Sequence, residues 1–396
     1  TIKLDGNYPT GTGNVALGDT ALDSVEAGAI YNVAIGNAAG TAITTGDCNV
    51  AIGRNSLKAT TTSSGNVAIG MTAMCNNITG TQSVAIGNEA LFKNESGNCN
   101  VAIGFQSLKC NTVGNITAVG SCALFTNSTG TGSTALGYLA NKLNTTGTNN
   151  VSVGREALEA NTTASNNTAV GYQSLTANTT GASNTAVGYL ALSTNVSGTD
   201  NVAVGKDALL ANTANNNVAV GVDALTANTT GDCNVAMGKS TLDSNTSGCG
   251  NTAVGAQSFS TATTSDFSVA VGFRSLASTT TADNNTAIGA CSLNANTTGN
   301  RNTAVGNDSL KANTTGVNNT SSGYNSMGLN TEGTRNSAYG YSALGSNTTG
   351  NCNTAIGCGS LGGNTTASNN TALGFDSLKA NTTGTRNVAV GCGALA

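Results

Sequence analysis

The chain has 396 residues and a net charge of −4, with 9% charged and 4% aromatic residues, one Pro, no Trp and no His. That balance leaves no basic footprint for nucleic acid, no run of about eighteen apolar residues to cross a membrane as a helix, and no imidazole for general acid–base work. At 38% apolar residues and little net charge, a composition dominated by Gly, Asn, Thr, Ala and Ser points to a repeat architecture rather than to disorder.

Residues 1–13, TIKLDGNYPTGTG, read as a lead-in. They carry neither an initiating Met nor the apolar stretch of a signal peptide, and the chain stops at Ala396 inside a repeat, as expected of a segment of a longer or processed chain. From Asn14 to Ala396 one phrase recurs, NTAVG in its commonest form, and each copy closes on a glycine. These glycines begin at Gly18, Gly36 and Gly53 and end at Gly391, 23 in all. The step from Gly36 to Gly53 is the usual one and recurs in nineteen of the 22 intervals. Two intervals, after Gly104 and Gly205, are shorter by one residue, and one, after Gly18, is longer by one.

With that glycine as position 1, a standard coil ends at position 17. Position 4 is always Ala, Ser or Thr, and position 5 is Leu, Met or Phe except at Gly40 and Asn141. Positions 8 to 11 tend to N-T-T-G. Position 14 is mostly Asn, and position 15 is Val or Thr except at Ser337. Position 16 is Ala except at Ser152 and Ser321, and position 17 is aliphatic except at Ser322 and Tyr339. The alternating, β-branched phrase at positions 14 to 17 predicts a strand. The Ala-Leu pair at positions 4 and 5 fits a second short strand, and N-T-T-G supplies the turn between. The length variants fall in that turn, where insertions belong. Two strands and two turns per repeat make one coil of an all-β parallel β-solenoid, or β-roll, of 23 coils over residues 14–396.

A lone coil buries two or three aliphatic side chains, worth about 1.5–3 kcal/mol each, against about 1–2 kcal/mol per residue of backbone ordering. Stability therefore has to come from stacking, with Asn at position 14 forming an amide ladder along the stack. At about 4.8 Å per coil the array predicts a rod on the order of 110 Å. Ala at position 16 lies on the strand face opposite positions 15 and 17, so both faces are near-apolar and call for two covers. The coil interior is one. A neighbouring chain is the other, most simply in a homotrimer.

The phrases NVAIG at Asn49–Gly53 and Asn66–Gly70 and SVAIG at Ser83–Gly87 resemble the head repeats of YadA-like trimeric autotransporter adhesins and the related β-roll repeats of phage and viral fibres. The resemblance covers Asn14 to Ala396. It implies a left-handed β-roll wound as a homotrimer. The coil here is longer than that family's usual one, and the family's barrel anchor, signal segment and coiled-coil stalk have no counterpart in these residues. The 11 Cys are odd in number and scattered. Cys48, Cys99, Cys233 and Cys352 share position 13 in non-adjacent coils, and Cys233 and Cys249 are the one pair in neighbouring coils at similar positions. This is no disulfide framework. It suits a fibre assembled in a reducing compartment and then displayed on a virion surface or outside the cell.

No constellation points to catalysis, and the expectation is a non-enzyme without metal or cofactor. Asp207, Asp223 and Asp308 at position 3 read as a solvated face, and the calcium-binding nonapeptide is absent. Sequons at Asn178, Asn228 and Asn381 are better read as turn residues than as glycan acceptors. Eight of the fifteen aromatics stand at position 2: Phe105, Tyr138, Tyr172, Tyr189, Phe273, Tyr324, Tyr341 and Phe375. Tyr172 with Tyr189, and Tyr324 with Tyr341, occupy adjacent coils. They are candidate ligand-binding residues for a host-surface glycan or protein receptor, the alternative being packing along the rod or between chains. Paired Thr at positions 9 and 10 raises ice binding, although NESG, NITG, NVSG and NTAN interrupt the array. The readings in order are a structural shaft of a phage or virus fibre that supports host attachment, a bacterial adhesin head that grips matrix or glycans, and an ice-binding solenoid.

Overall fold

The computed structural model describes residues 11–396. Residues 1–10 of the expected lead-in lie outside that range. The chain divides into two compact units at Thr199/Asp200. Each is a parallel β-solenoid with a 17-residue period, without a helix among the described residues. The first unit carries β1 (Val15–Leu17) through β11 (Thr185–Val187), and the second β12 (Val202–Val204) through β23 (Val388–Val390). Within each unit every strand pairs in parallel with the next, like position against like. Ala51 stands opposite Ala68 in the first unit and Ala236 opposite Ala253 in the second.

Every strand is three residues long and occupies positions 15 to 17. The expected second strand does not form. In the coil that starts at Gly171, Gln173 and Leu175 have φ of 51° and 50°, and Ser183, at position 13, has φ 60°. The same positions are left-handed in nearly every coil. A left-handed Leu costs about 1–2 kcal/mol, so an Ala-Leu pair carries no local signal for this conformation. Two gains offset the cost. The Leu175 side chain is fully buried, and its N–H donates to Ala191 O of the next coil at 3.0 Å.

That bond belongs to a set that runs both ways along the stack. Gly171, Gln173 and Ser183 donate to the preceding coil, at Val153 O (2.8 Å), Arg155 O (3.0 Å) and Ser165 O (3.1 Å). Leu175, Ala177 and Thr179 donate to the following one, at Ala191 O (3.0 Å), Ser193 O (3.1 Å) and Val196 O (2.9 Å). The non-strand part of the coil is thus hydrogen-bonded as regularly as the strand, which is how its buried amides are satisfied.

The repeating glycine has two reasons. Its φ lies near +130° (131° at Gly171), and a Cβ on Gly171 would stand 2.4 Å from Gly188 O. No other residue tolerates both the angle and the approach.

The interior is narrow. Ala at position 16 and Leu at position 5 are fully buried in coil after coil, as at Ala169, Leu175, Ala186 and Leu192. Positions 15 and 17 face outward, where Thr185 and Val187 are half-buried and Leu136 is 47% exposed. The strand is therefore apolar on both faces, as the sequence predicts, with only the Ala face covered within the chain.

Asn at position 14 forms the expected ladder, with a difference in its bonding. The Asn184 N–H donates to Asn167 Oδ1 (2.9 Å), and Asn184 Nδ2 reaches Gly198 O (2.8 Å), so side chains mostly bridge backbone groups. A second ladder runs at position 8, inside the segment read as a turn. Asn161, Asn178 and Asn195 each donate Nδ2 to the Oδ1 of the Asn one coil back (2.9, 3.1 and 3.1 Å) and also to a carbonyl three residues ahead. All three are fully buried. Buried amides satisfied in this way are strong and position-specific.

Positions 5 and 8 share one space. The coil from Gly36 has Gly40 in place of Leu and Ile43 in place of Asn, and a Cβ on Gly40 would meet Ile43 Cδ1 at 3.0 Å. The coil from Gly255 makes the opposite exchange, a buried Phe259 with a buried Ala262, and Asn245 Oδ1 is then left without its ladder partner. Asn141 replaces the position-5 Leu with no exchange, and both its amide atoms are buried and unpaired, a cost of about 1–3 kcal/mol.

Ala186→Leu, on the fully buried face, is expected to destabilise by about 1–3 kcal/mol, whereas Ala182→Leu, in a half-buried turn, leaves the melting curve nearly unchanged. Equal tolerance at both sites would contradict the assignment of the inner face. Gly40→Leu alone overfills the core, and adding Ile43→Asn relieves it. A denaturation double-mutant cycle should give a favourable coupling of about 1–3 kcal/mol, and additive effects would mean that the two positions do not share volume.

Candidate functional site

The charged positions form pairs rather than a centre. At position 3, Asp207 pairs with Lys206, and Asp308 with Lys311 at 3.0 Å. Among the described residues no group of three or more His, Cys, Asp or Glu is placed to hold a metal ion. The described cysteines are free thiols, with Cys48, Cys99, Cys233 and Cys352 exposed. Burial pushes the Cys75 thiol above its ordinary value, against the pull of Lys58. Burial likewise raises the Asp243 carboxyl, with Asp223 adding to the effect.

The sequons are not surface acceptors. Asn178 and Asn228 are fully buried in the position-8 ladder, and Asn381 is half-buried in it, donating to Asn364 Oδ1 at 3.2 Å. The paired threonines divide between two environments. Thr179 is half-buried and its Oγ1 donates to Val196 O at 3.1 Å, while Thr180 faces solvent. The outward array is thus one Thr wide in that coil.

The position-2 aromatics all project from the surface, from Tyr172 at 37% to Tyr341 at 58% exposed. Two clusters result, one in each unit. In the first unit Tyr172 and Tyr189 stack at 5.4 Å with 12° between planes. Arg155 continues the row, its guanidinium 5.7 Å from the Tyr172 ring and 5.8 Å from Tyr138. Glu156 accepts from Arg155 (2.9 Å) and from Gln173 Nε2 (2.7 Å); these two bonds, Gln173 first, hold its carboxyl below the ordinary value. In the second unit Tyr324 and Tyr341 stack at 5.5 Å and 12°. Stacking at these distances turns ring faces toward each other and leaves ring edges and hydroxyls to solvent.

One further exposed tyrosine, outside the position-2 row, lies close in sequence to the second pair. Tyr339 stands at position 17, 45% exposed, one residue before Gly340 and two before Tyr341. It breaks the aliphatic pattern of position 17, a departure visible in the sequence although the residue was not among the candidates there. No protein-family model matches the chain, and no curated protein matches it.

Asp243 supplies a pH test. A carboxyl raised in the folded state favours the protonated form, so its contribution to stability is present at acid pH and lost as pH rises through the raised value. Asp243→Asn is expected to raise the melting temperature at pH 7 and to match the parent below about pH 4. A pH-independent gain would mean that the carboxyl is not the cause.

Proposed function

We propose that the chain is part of the shaft of a phage or virus fibre, a stiff spacer that supports host attachment. The observation that carries this reading is the coil itself. Its buried side chains and most of its backbone groups are committed to the coils before and after it, through the rungs, the two Asn ladders and the Ala-Leu core. A unit of this kind lengthens by repetition without a new core, as repeat proteins do. Free thiols throughout the described array suit assembly in a reducing compartment before display on the virion surface.

The same reading holds the chain to be a homotrimer joined through the sheet faces. From β2 to β6 (residues 33–103) the outward residues are Val and Ile only, in five consecutive coils, and all ten are half-buried within one chain. A run of aliphatic side chains this regular is a docking surface by composition. An adhesin head is the second reading, and the exposed tyrosine clusters favour it, because exposed aromatics on a rigid scaffold are what a receptor surface needs.

Native mass spectrometry or sedimentation equilibrium tests the trimer. Three chains are expected. Ile69→Lys with Ile86→Lys should separate them while leaving the circular dichroism unchanged, since both side chains lie outside the coil. A single-chain mass for the unmodified protein would overturn the proposed assembly.

A further inference from the structure

In the first unit four consecutive coils carry Tyr138, Arg155, Tyr172 and Tyr189 at position 2. The Arg155 guanidinium stands between two rings, 5.8 Å from the Tyr138 centroid and 5.7 Å from the Tyr172 centroid. Tyr189, one coil further on, stacks on Tyr172 at 5.4 Å. All four side chains are exposed. The row follows the position-1 glycine, whose positive φ turns the chain out of the strand, so it lies off the sheet face assigned to the assembly.

Arg155 is held in place with donors to spare. Its Nε donates to Glu156 Oε1 at 2.9 Å, and Nη2 lies at 2.9 Å from the same oxygen. Glu156 is fixed in turn by Gln173 Nε2 at 2.7 Å. Nη1 has no hydrogen-bond partner among the described residues. The shaft fold does not call for this arrangement. Position 2 is elsewhere Asn37, Ser121 or Asn307, and exposed ion pairs and cation–π contacts add little to stability. What the arrangement does supply is a guanidinium whose freedom is already lost before a ligand arrives.

The chemistry of the row selects the ligand. With a ring on each face, the guanidinium is open only along its in-plane edge, where its fork matches a carboxylate. Tyrosines stacked face to face turn the positive edges of their rings and their hydroxyls outward, which also favours an anion. Glu156 balances the charge of Arg155, so one negative charge suits the site better than two. A sugar ring with a single carboxylate offers partners for the guanidinium and for the tyrosine hydroxyls in one rigid unit. An acidic peptide would bring several charges against Glu156 and lose more freedom on binding.

We infer that the row formed by Tyr138, Arg155, Tyr172 and Tyr189 binds an acidic saccharide, its carboxylate on the Nη1 and Nη2 edge of Arg155 and its hydroxyls on the flanking tyrosines. This goes beyond the shaft reading, which stands or falls separately on the mass measurement.

The test is a ligand-observed NMR titration on the full chain. The carboxylated probes are 3′-sialyllactose and a hyaluronan tetrasaccharide, with lactose as the neutral control and hexaglutamate as the acidic peptide. At least one carboxylated probe is expected to bind about tenfold tighter than lactose or better. Arg155→Asn should weaken that probe about tenfold or more. Asn stands at position 2 at Asn37, Asn88 and Asn307, so this variant should fold, and unchanged circular dichroism checks that it does. Arg155→Lys keeps the charge but loses the fork and should weaken the probe as well. Tyr324→Asn, in the second unit, should leave binding unaffected. The proposal is overturned if neither carboxylated probe binds, if lactose binds as tightly, if hexaglutamate binds tighter than both, or if binding survives either substitution of Arg155.

Discussion

The structure depends on how closely one backbone passes over another at position 1. A carbonyl of the following coil lies where the glycine Cβ would be, 2.3–2.8 Å away at most of these positions. The positive φ there, 125–145°, turns the chain out of the strand. Because this approach recurs once in every coil, the remaining donors and acceptors of each coil come into register with those of its neighbours. The three-residue strand is too short to hold a sheet on its own, since typical strands run to about five or six residues. The non-strand rungs supply what it lacks.

Two consequences follow for the core. First, left-handed φ becomes accessible to residues that seldom adopt it. Leu at position 5 gains a buried side chain and an inter-coil hydrogen bond, which offset its conformational cost. Second, the interior holds little besides Ala, Leu and amides, so substitutions are tolerated as exchanges of volume between positions 5 and 8. Gly40 with Ile43 and Phe259 with Ala262 are two solutions of opposite sense, and Asn141 is the unsolved case, with both amide atoms unpaired.

Function follows from what the coil leaves over. The inward side chains are committed to stacking, so sequence variation concentrates at outward positions such as 2, 3 and 13. Among these, charges pair off locally, and the two features of any extent are the aliphatic sheet face and the tyrosine clusters. The proposed assembly rests on the first, and the adhesin reading on the second. Both are surface properties laid on a scaffold whose interior is nearly uniform, which is how a repeat protein acquires binding without altering its fold.

The period, the strand at positions 15 to 17, its two near-apolar faces and the position-14 Asn ladder were legible from the residues alone. Each follows from alternation and recurrence, which are properties of the chain read along itself. The position-8 ladder and the left-handed Leu were not, because the sign of φ at Leu175 and the partner of Asn178 are decided by the coils on either side, and N-T-T-G is equally good chemistry for an exposed turn. For the same reason the sequon asparagines read as turn residues, whereas Asn178 and Asn228 are core and Asn381 is half-buried in the same ladder. The stacked tyrosines could be placed in adjacent coils by counting. That their faces are turned to each other was decided by tertiary structure, because ring orientation is set by the stacking of coils and not by spacing.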